Sequence, residues 1–92
     1  TAVWKLPIAG GEGKALCDST VSDRFPRVAP DGKQVLINSL RGGVANLWLC
    51  DPATNIARQL TRERRGETWT AEWSPDGSRI GYSILGPGWG EL

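Results

Sequence analysis

The sequence has no histidine and no methionine, and its five tryptophans are joined by a single phenylalanine and a single tyrosine. Without histidine, neither a Ser-His-Asp nor a Cys-His arrangement can be assembled, and zinc binding by ordinary ligand spacing is excluded. No GxxxxGK[ST] phosphate loop occurs, and the glycines of GGEG at 10–13 are not followed by the helix a phosphate site needs. Its ten acidic residues are scattered, so nothing singles out a pair for acid-base work on a glycoside. No enzyme, metal or cofactor is expected.

Long apolar runs are also missing. No stretch approaches the ~18 residues of a spanning helix, and no signal-peptide pattern opens the chain. Eleven Lys and Arg balance ten Asp and Glu, which leaves no long-range field to attract nucleic acid or an anionic membrane. Neither is an expected partner. A chain that starts at Thr1 and lacks methionine reads as a processed product, a trimmed form or an excised piece of something longer.

Cysteine is scarce. Cys17 and Cys50 form no CxxC pair and lie in the apolar, strand-like runs KALCD and LWLCD, which favours buried free thiols. A disulfide between them is the alternative.

What the chain does have is punctuation: twelve glycines and six prolines, spread evenly, between short runs rich in Val, Ile, Leu and Trp. That pattern argues against long helices and for closely spaced antiparallel strands. Strands are expected at 25–29, 33–39, 45–51 and 56–61, which together make a four-stranded meander. A chain of 92 residues is one small domain, and chains near this size bury roughly two-thirds of their unfolded surface.

The chain also repeats itself. RVAPDGKQVLINSLRGG returns as EWSPDGSRIGYSILGPG, with Pro75-Asp76-Gly77 in place of Pro30-Asp31-Gly32, a shift of 75 − 30 = 45 residues. Intervals of that size mark structural repeats. In each PDG motif, Pro presets the second position of a type I turn, Asp tolerates the third, and Gly supplies a left-handed conformation. This folding role accounts for Pro30, Asp31, Gly32, Pro75, Asp76 and Gly77 without a catalytic or calcium-binding one.

Other fragments align with the same unit. TAVWKLP matches ANLWLCD, with Trp4 against Trp48 at 48 − 4 = 44, and KALCD matches ARQLT. Residues 1–18 therefore read as the third and fourth strands of a unit, 25–61 as a complete unit, and 69–92 as the first and second strands of another. Because Trp4 and Trp48 recur at equivalent strand positions, both are expected in the core.

The run WSPDGSRIGYS, the Leu-Trp of the third strand after a glycine loop, and the closing ARQLT together resemble the TolB-like (WD40-like) β-propeller repeat, across essentially the whole chain. Val28 and Ala29 depart from the pattern, standing where the second copy has Trp73 and Ser74. The resemblance implies an all-β fold of four-stranded antiparallel blades, about two per chain as half, whole and half. It implies a non-catalytic protein-binding platform, bacterial and periplasmic by analogy, or the gating domain of a prolyl-oligopeptidase-like serine peptidase. Blade-like repeats cannot cover their apolar faces alone. The chain is therefore expected to assemble head-to-tail with identical copies, three giving six blades and four giving eight. The alternative is a fragment of a longer propeller.

In a meander, turns alternate between two ends. The PDG turns fall at one rim with PIAGGEG and DPATN. The other collects Arg41, Arg62, Arg64, Arg65, Trp69 and Trp89, a mixture enriched at binding hot spots. These six residues are candidates for contact with an acidic protein surface. The opposing reading is a solvated loop in which Glu63 and Glu67 neutralise the arginines.

Overall fold

The PDG motifs fold as their chemistry requires. In the computed structural model, which describes residues 3–6, 10, 12–17, 22–64 and 67–85, the amide of Gly32 bonds the carbonyl of Ala29 at 2.8 Å and that of Gly77 bonds Ser74 at 2.9 Å. Both glycines take the left-handed conformation, φ 75° and 77°, where a side chain is strained. Each turn is closed by a second bond, Ala29 N–H to Gln34 and Ser74 N–H to Arg79, both 2.8 Å.

These turns join antiparallel strands. In chain order the described strands are β1 (Val3–Lys5), β2 (Lys14–Leu16), β3 (Asp23–Val28), β4 (Val35–Ser39), β5 (Asn46–Asp51), β6 (Ile56–Gln59), β7 (Glu67–Trp73) and β8 (Ile80–Leu85). A short 3-10 turn at Arg41–Gly43 links β4 to β5. They form a two-stranded sheet β1-β2, a four-stranded sheet β3-β4-β5-β6 and a two-stranded sheet β7-β8. All pairings are antiparallel. The fold is all-β, and among the described residues no sheet closes on itself.

Strand ends differ slightly from the sequence expectation, for local reasons. β4 starts at Val35 rather than at 33, because the Lys33 amide is held in the turn by Asp31 Oδ1 at 2.9 Å. β6 stops at Gln59 because the amides of Leu60 and Thr61 both turn to the carbonyl of Leu47, at 2.8 and 3.4 Å.

The middle sheet is buried on both faces, since all five residues of β4 are buried. One face carries Val35, Ile37 and Cys50 against Val3, Leu16 and Cys17 of the first sheet's region. The opposite face carries Leu36, Leu47 and Leu49 against Ala71, Trp73 and Ile80 of the third. Each fully buried aliphatic side chain contributes about 1.5 to 3 kcal/mol. Buried polar groups also tie the sheets: Asn38 Nδ2 donates to the carbonyl and hydroxyl of Thr68 at 2.7 and 3.1 Å. The Thr68 hydroxyl in turn donates to the carbonyl of Ala45 at 3.1 Å.

Two sequence expectations are corrected. Cys17 and Cys50 are joined in a disulfide, with Cα atoms 6.1 Å apart, instead of standing as free thiols. The bond arises because Cys17, just past β2, and Cys50, on β5, meet where two sheets face each other. Spacing along one chain does not reveal such a meeting. Trp4 is 64% exposed rather than core. Its neighbour Val3 takes the inward side of β1, and strand alternation turns Trp4 outward. Trp48, by contrast, is half-buried and packs against the first apolar cluster.

Candidate functional site

At the end of the middle sheet opposite the PDG turn, a groove of about 580 Å³ is lined by Arg41, Gly42, Val44, Asn46, Trp48, Gln59 and the stretch Arg62, Glu63, Arg64. Three of the six candidate binding residues thus share one cavity. The first PDG loop and the DPATN loop line another groove together, with Asp31, Gly32 and Lys33 facing Asp51, Pro52 and Ala53.

Arg41 is committed to the fold. Its guanidinium donates to the carbonyl of Cys17 and to Asp23 Oδ2 at 3.3 Å, and it lies over the Trp48 ring at 5.2 Å. Only 16% of its side chain is exposed, and the Asp23 side chain is fully buried. A buried ion pair of this kind is costly to break from one side. Arg41 therefore lines the groove as a residue held by the fold.

Arg62 and Arg64 are different. The segment that carries them is fixed by a small polar network around Asn46. The Thr61 hydroxyl donates to Asn46 Oδ1 at 2.8 Å and accepts from the Leu47 amide at 2.9 Å. The Glu63 amide donates to Asn46 Oδ1 at 2.8 Å, and Asn46 Nδ2 donates to the Glu63 carbonyl at 3.2 Å. Backbone held on both sides of Glu63 presents Arg62 and Arg64 as exposed side chains. Arg62 makes one marginal bond, at 3.5 Å to the carbonyl of Gln59. Among the described residues no ion pair joins either arginine to Glu63.

Trp69 sits apart from this groove. It packs edge-to-face on Phe25 with ring centroids 5.7 Å apart, and the Arg24 guanidinium lies 5.2 Å from both rings. The left-handed Phe25, φ 55°, falls in a bulge between Arg24 and Arg27 that redirects its ring. Arg65 and Trp89 lie outside the described residues, and so does the side chain of Glu67.

Among the described residues, Asp76 is the titratable group whose environment is clearly altered. Bonds from the Ser74 hydroxyl at 2.7 Å and from the Ser78 amide and hydroxyl at 3.0 and 2.8 Å lower its pKa from 3.8 to about 2. These are turn bonds, so the shift belongs to the fold. In the first copy Ala29 offers no such hydroxyl.

Sequence reasoning named these arginines as candidates and missed what holds the segment that carries Arg62 and Arg64. Asn46 and Asn38 were the available signals, since an amide inside ANLWL or VLINS must find partners once buried. Asp23 gave no comparable sign.

Over 84 residues the chain is 32% identical to the Tol-Pal system protein TolB of Anaeromyxobacter dehalogenans strain 2CP-C, covering 88% of this chain and 19% of that protein. The TolB proteins of Anaeromyxobacter sp. strain K and of A. dehalogenans strain 2CP-1 match with the same identity and coverage. The chain spans about a fifth of the length of these relatives. No family model and no solved structure matches it. The matches support a TolB-like relationship over this stretch.

Proposed function

We propose that the chain is a two-blade segment of a non-catalytic, protein-binding β-propeller of the bacterial envelope, with its binding surface at the Arg62–Arg64 rim. The observation that carries this reading is the stacking of the sheets. A four-stranded meander is covered on one face by β1-β2 and on the other by β7-β8, as successive propeller blades cover each other. The Cys17–Cys50 disulfide suits an oxidising compartment such as the periplasm, in keeping with the resemblance to TolB.

The partner in this reading is an acidic protein surface, because Arg62 and Arg64 are exposed, held on fixed backbone and without an acidic partner among the described residues. Arginine is suited to bidentate recognition of carboxylates. A fluorescently labelled Asp- and Glu-rich peptide is expected to bind more tightly than a Lys-rich one. That binding weakens with added salt and falls several-fold in Arg62→Ala and Arg64→Ala. Equal affinity for both peptides would overturn the rim assignment.

The segment is completed by further blades. In the first reading these come from identical chains, three or four closing a ring of six or eight blades. The relatives' fivefold greater length favours a second reading, in which neighbouring blades belong to the same polypeptide.

A further inference from the structure

One residue that does not line the Arg62–Arg64 groove is bonded to much of what builds it. Cys17 is joined to Cys50 on β5, its amide donates to Asn55 Oδ1 at 2.8 Å, and its carbonyl accepts from the Arg41 guanidinium. Its backbone is left-handed, φ 47°, a conformation that is costly for a residue with a side chain and persists where the surroundings hold it. Here three bonds hold it, and one of them ends on a residue that lines the groove.

We infer that Cys17 is a positioning residue of the groove, and that its bond to Cys50 governs how tightly the groove holds an acidic ligand. This rests on the rim reading proposed above and adds a means of regulation to it. Two side chains that line the groove depend on Cys17. Arg41 is held between the Cys17 carbonyl and Asp23 Oδ2, and Trp48 packs on the apolar cluster that contains both Cys17 and Cys50. The Arg41 guanidinium also lies 5.2 Å from the Trp48 ring, so a shift of one is felt by the other.

The remaining arginines are placed independently. The segment of Arg62 and Arg64 is held by bonds among Asn46, Thr61 and Glu63, none of which involves Cys17 or Cys50. Opening the disulfide therefore releases Arg41 and loosens the packing under Trp48, while the Arg62–Arg64 segment keeps its anchors. A less ordered Arg41 has to be fixed again when a ligand binds, and affinity falls as it does whenever preorganisation is lost.

Cys17 and Cys50 are 4% and 0% exposed, so the bond is shielded and yields to an excess of a dithiol reductant. Thiolate attack on one sulfur gives a mixed disulfide, and the second thiol of the reductant then closes its own disulfide. Cys17 and Cys50 are left as two thiols, after transfer of two electrons and two protons. Binding and reduction are linked, so a ligand that prefers the oxidised chain makes the bond harder to reduce by the same factor.

The test compares oxidised and dithiol-reduced chains, matched in circular dichroism, for binding of a labelled Asp- and Glu-rich peptide. Reduction should weaken binding several-fold and shift the Arg41 side-chain and Trp48 indole resonances, while those of Arg62 and Arg64 stay in place. The Trp48 indole nitrogen is buried without an acceptor among the described residues, which makes its N–H a direct reporter. Unchanged affinity in a chain that prefers the acidic peptide, or resonances of all three arginines moving alike, would overturn the inference. Should the reduced chain not keep its fold, Asn55→Gly in the oxidised chain replaces reduction. Asn55 does not line the groove and its φ of 60° suits glycine, yet the change removes the acceptor of the Cys17 amide. Weaker peptide binding with a shifted Arg41 resonance supports the inference, and parent values of both refute it. An oxidised chain that treats acidic and Lys-rich peptides alike would reject the rim reading, and the Arg41 and Trp48 shifts then decide the positioning by themselves.

Discussion

Arg27 and Glu72, which occupy the same position in successive repeats 45 residues apart, are joined by an ion pair at 2.9 Å. One residue further, the Trp73 indole N–H donates to the carbonyl of Arg27 at 2.9 Å. Equivalent points of the two repeats therefore touch where the middle sheet meets β7.

These two contacts differ in worth. The Arg27 and Glu72 side chains are 46% and 73% exposed, and exposed pairs contribute about 0 to 1 kcal/mol. Trp73 also packs on the second apolar cluster. Glu72→Gln should change stability by less than about 0.5 kcal/mol. Trp73→Phe, which removes the N–H donor and leaves an aromatic ring, should cost about 1 kcal/mol or more. Urea unfolding of both variants checks the order.

The Cys17–Cys50 bond closes a stretch of 33 residues in sequence separation. By the loop-entropy relation such a crosslink stabilises by about 3 to 4 kcal/mol. Reduction of the unaltered chain should lower the denaturant midpoint accordingly, and the double variant Cys17→Ala with Cys50→Ala should show little further response to reductant. An unchanged midpoint on reduction would contradict the structural role assigned to the bond.

Three arginines line one groove and divide into two kinds. Arg41→Ala strips the buried Asp23 of a cation and the Cys17 carbonyl of a donor, and should destabilise by about 3 kcal/mol or more. Arg62→Ala and Arg64→Ala should stay within about 0.5 kcal/mol of the parent. Thermal unfolding of the three variants separates the fold-bearing arginine from the two assigned to a partner.

Asp76 gives the fold an acid-sensitive turn. Its folded pKa, about 2, lies below the ordinary 3.8 because Ser74 and Ser78 donate to the ionised carboxyl. Its contribution is present in full above about pH 3.8 and is lost as the pH falls through about 2. Ser74→Ala should flatten the loss of stability across that window. A parent and variant with parallel pH profiles would show that the turn bonds do not control it.

Much of this fold was legible because turn chemistry and strand patterning pointed the same way. The PDG motifs dictated the hairpins at Gly32 and Gly77, and the short runs rich in Val, Ile, Leu and Trp between turn clusters marked the antiparallel strands. Relations between sheets were hidden. Nothing local distinguishes a Cys17 that meets Cys50 from one that stays free. Trp4 and Trp48 occupy equivalent positions, yet only Trp48 has a neighbouring sheet on its side. At the groove, Arg62 and Arg64 were visible as charge, while Asn46, which fixes the backbone between them, was hidden inside an apolar strand. Arg41 was visible as charge as well, but its burial against Asp23 depends on three strands converging.

The central claim, proposed above, is that the three stacked sheets belong to a propeller whose further blades come from identical chains or from the same polypeptide. The native mass of the 92-residue, 10.0 kDa chain, measured by light scattering across a dilution series, tests this most directly. If identical chains supply the further blades, a stable assembly of three or four chains persists on dilution. A monomer at every concentration, with Trp4 still exposed, would contradict completion by identical copies and leave the missing blades to a longer polypeptide.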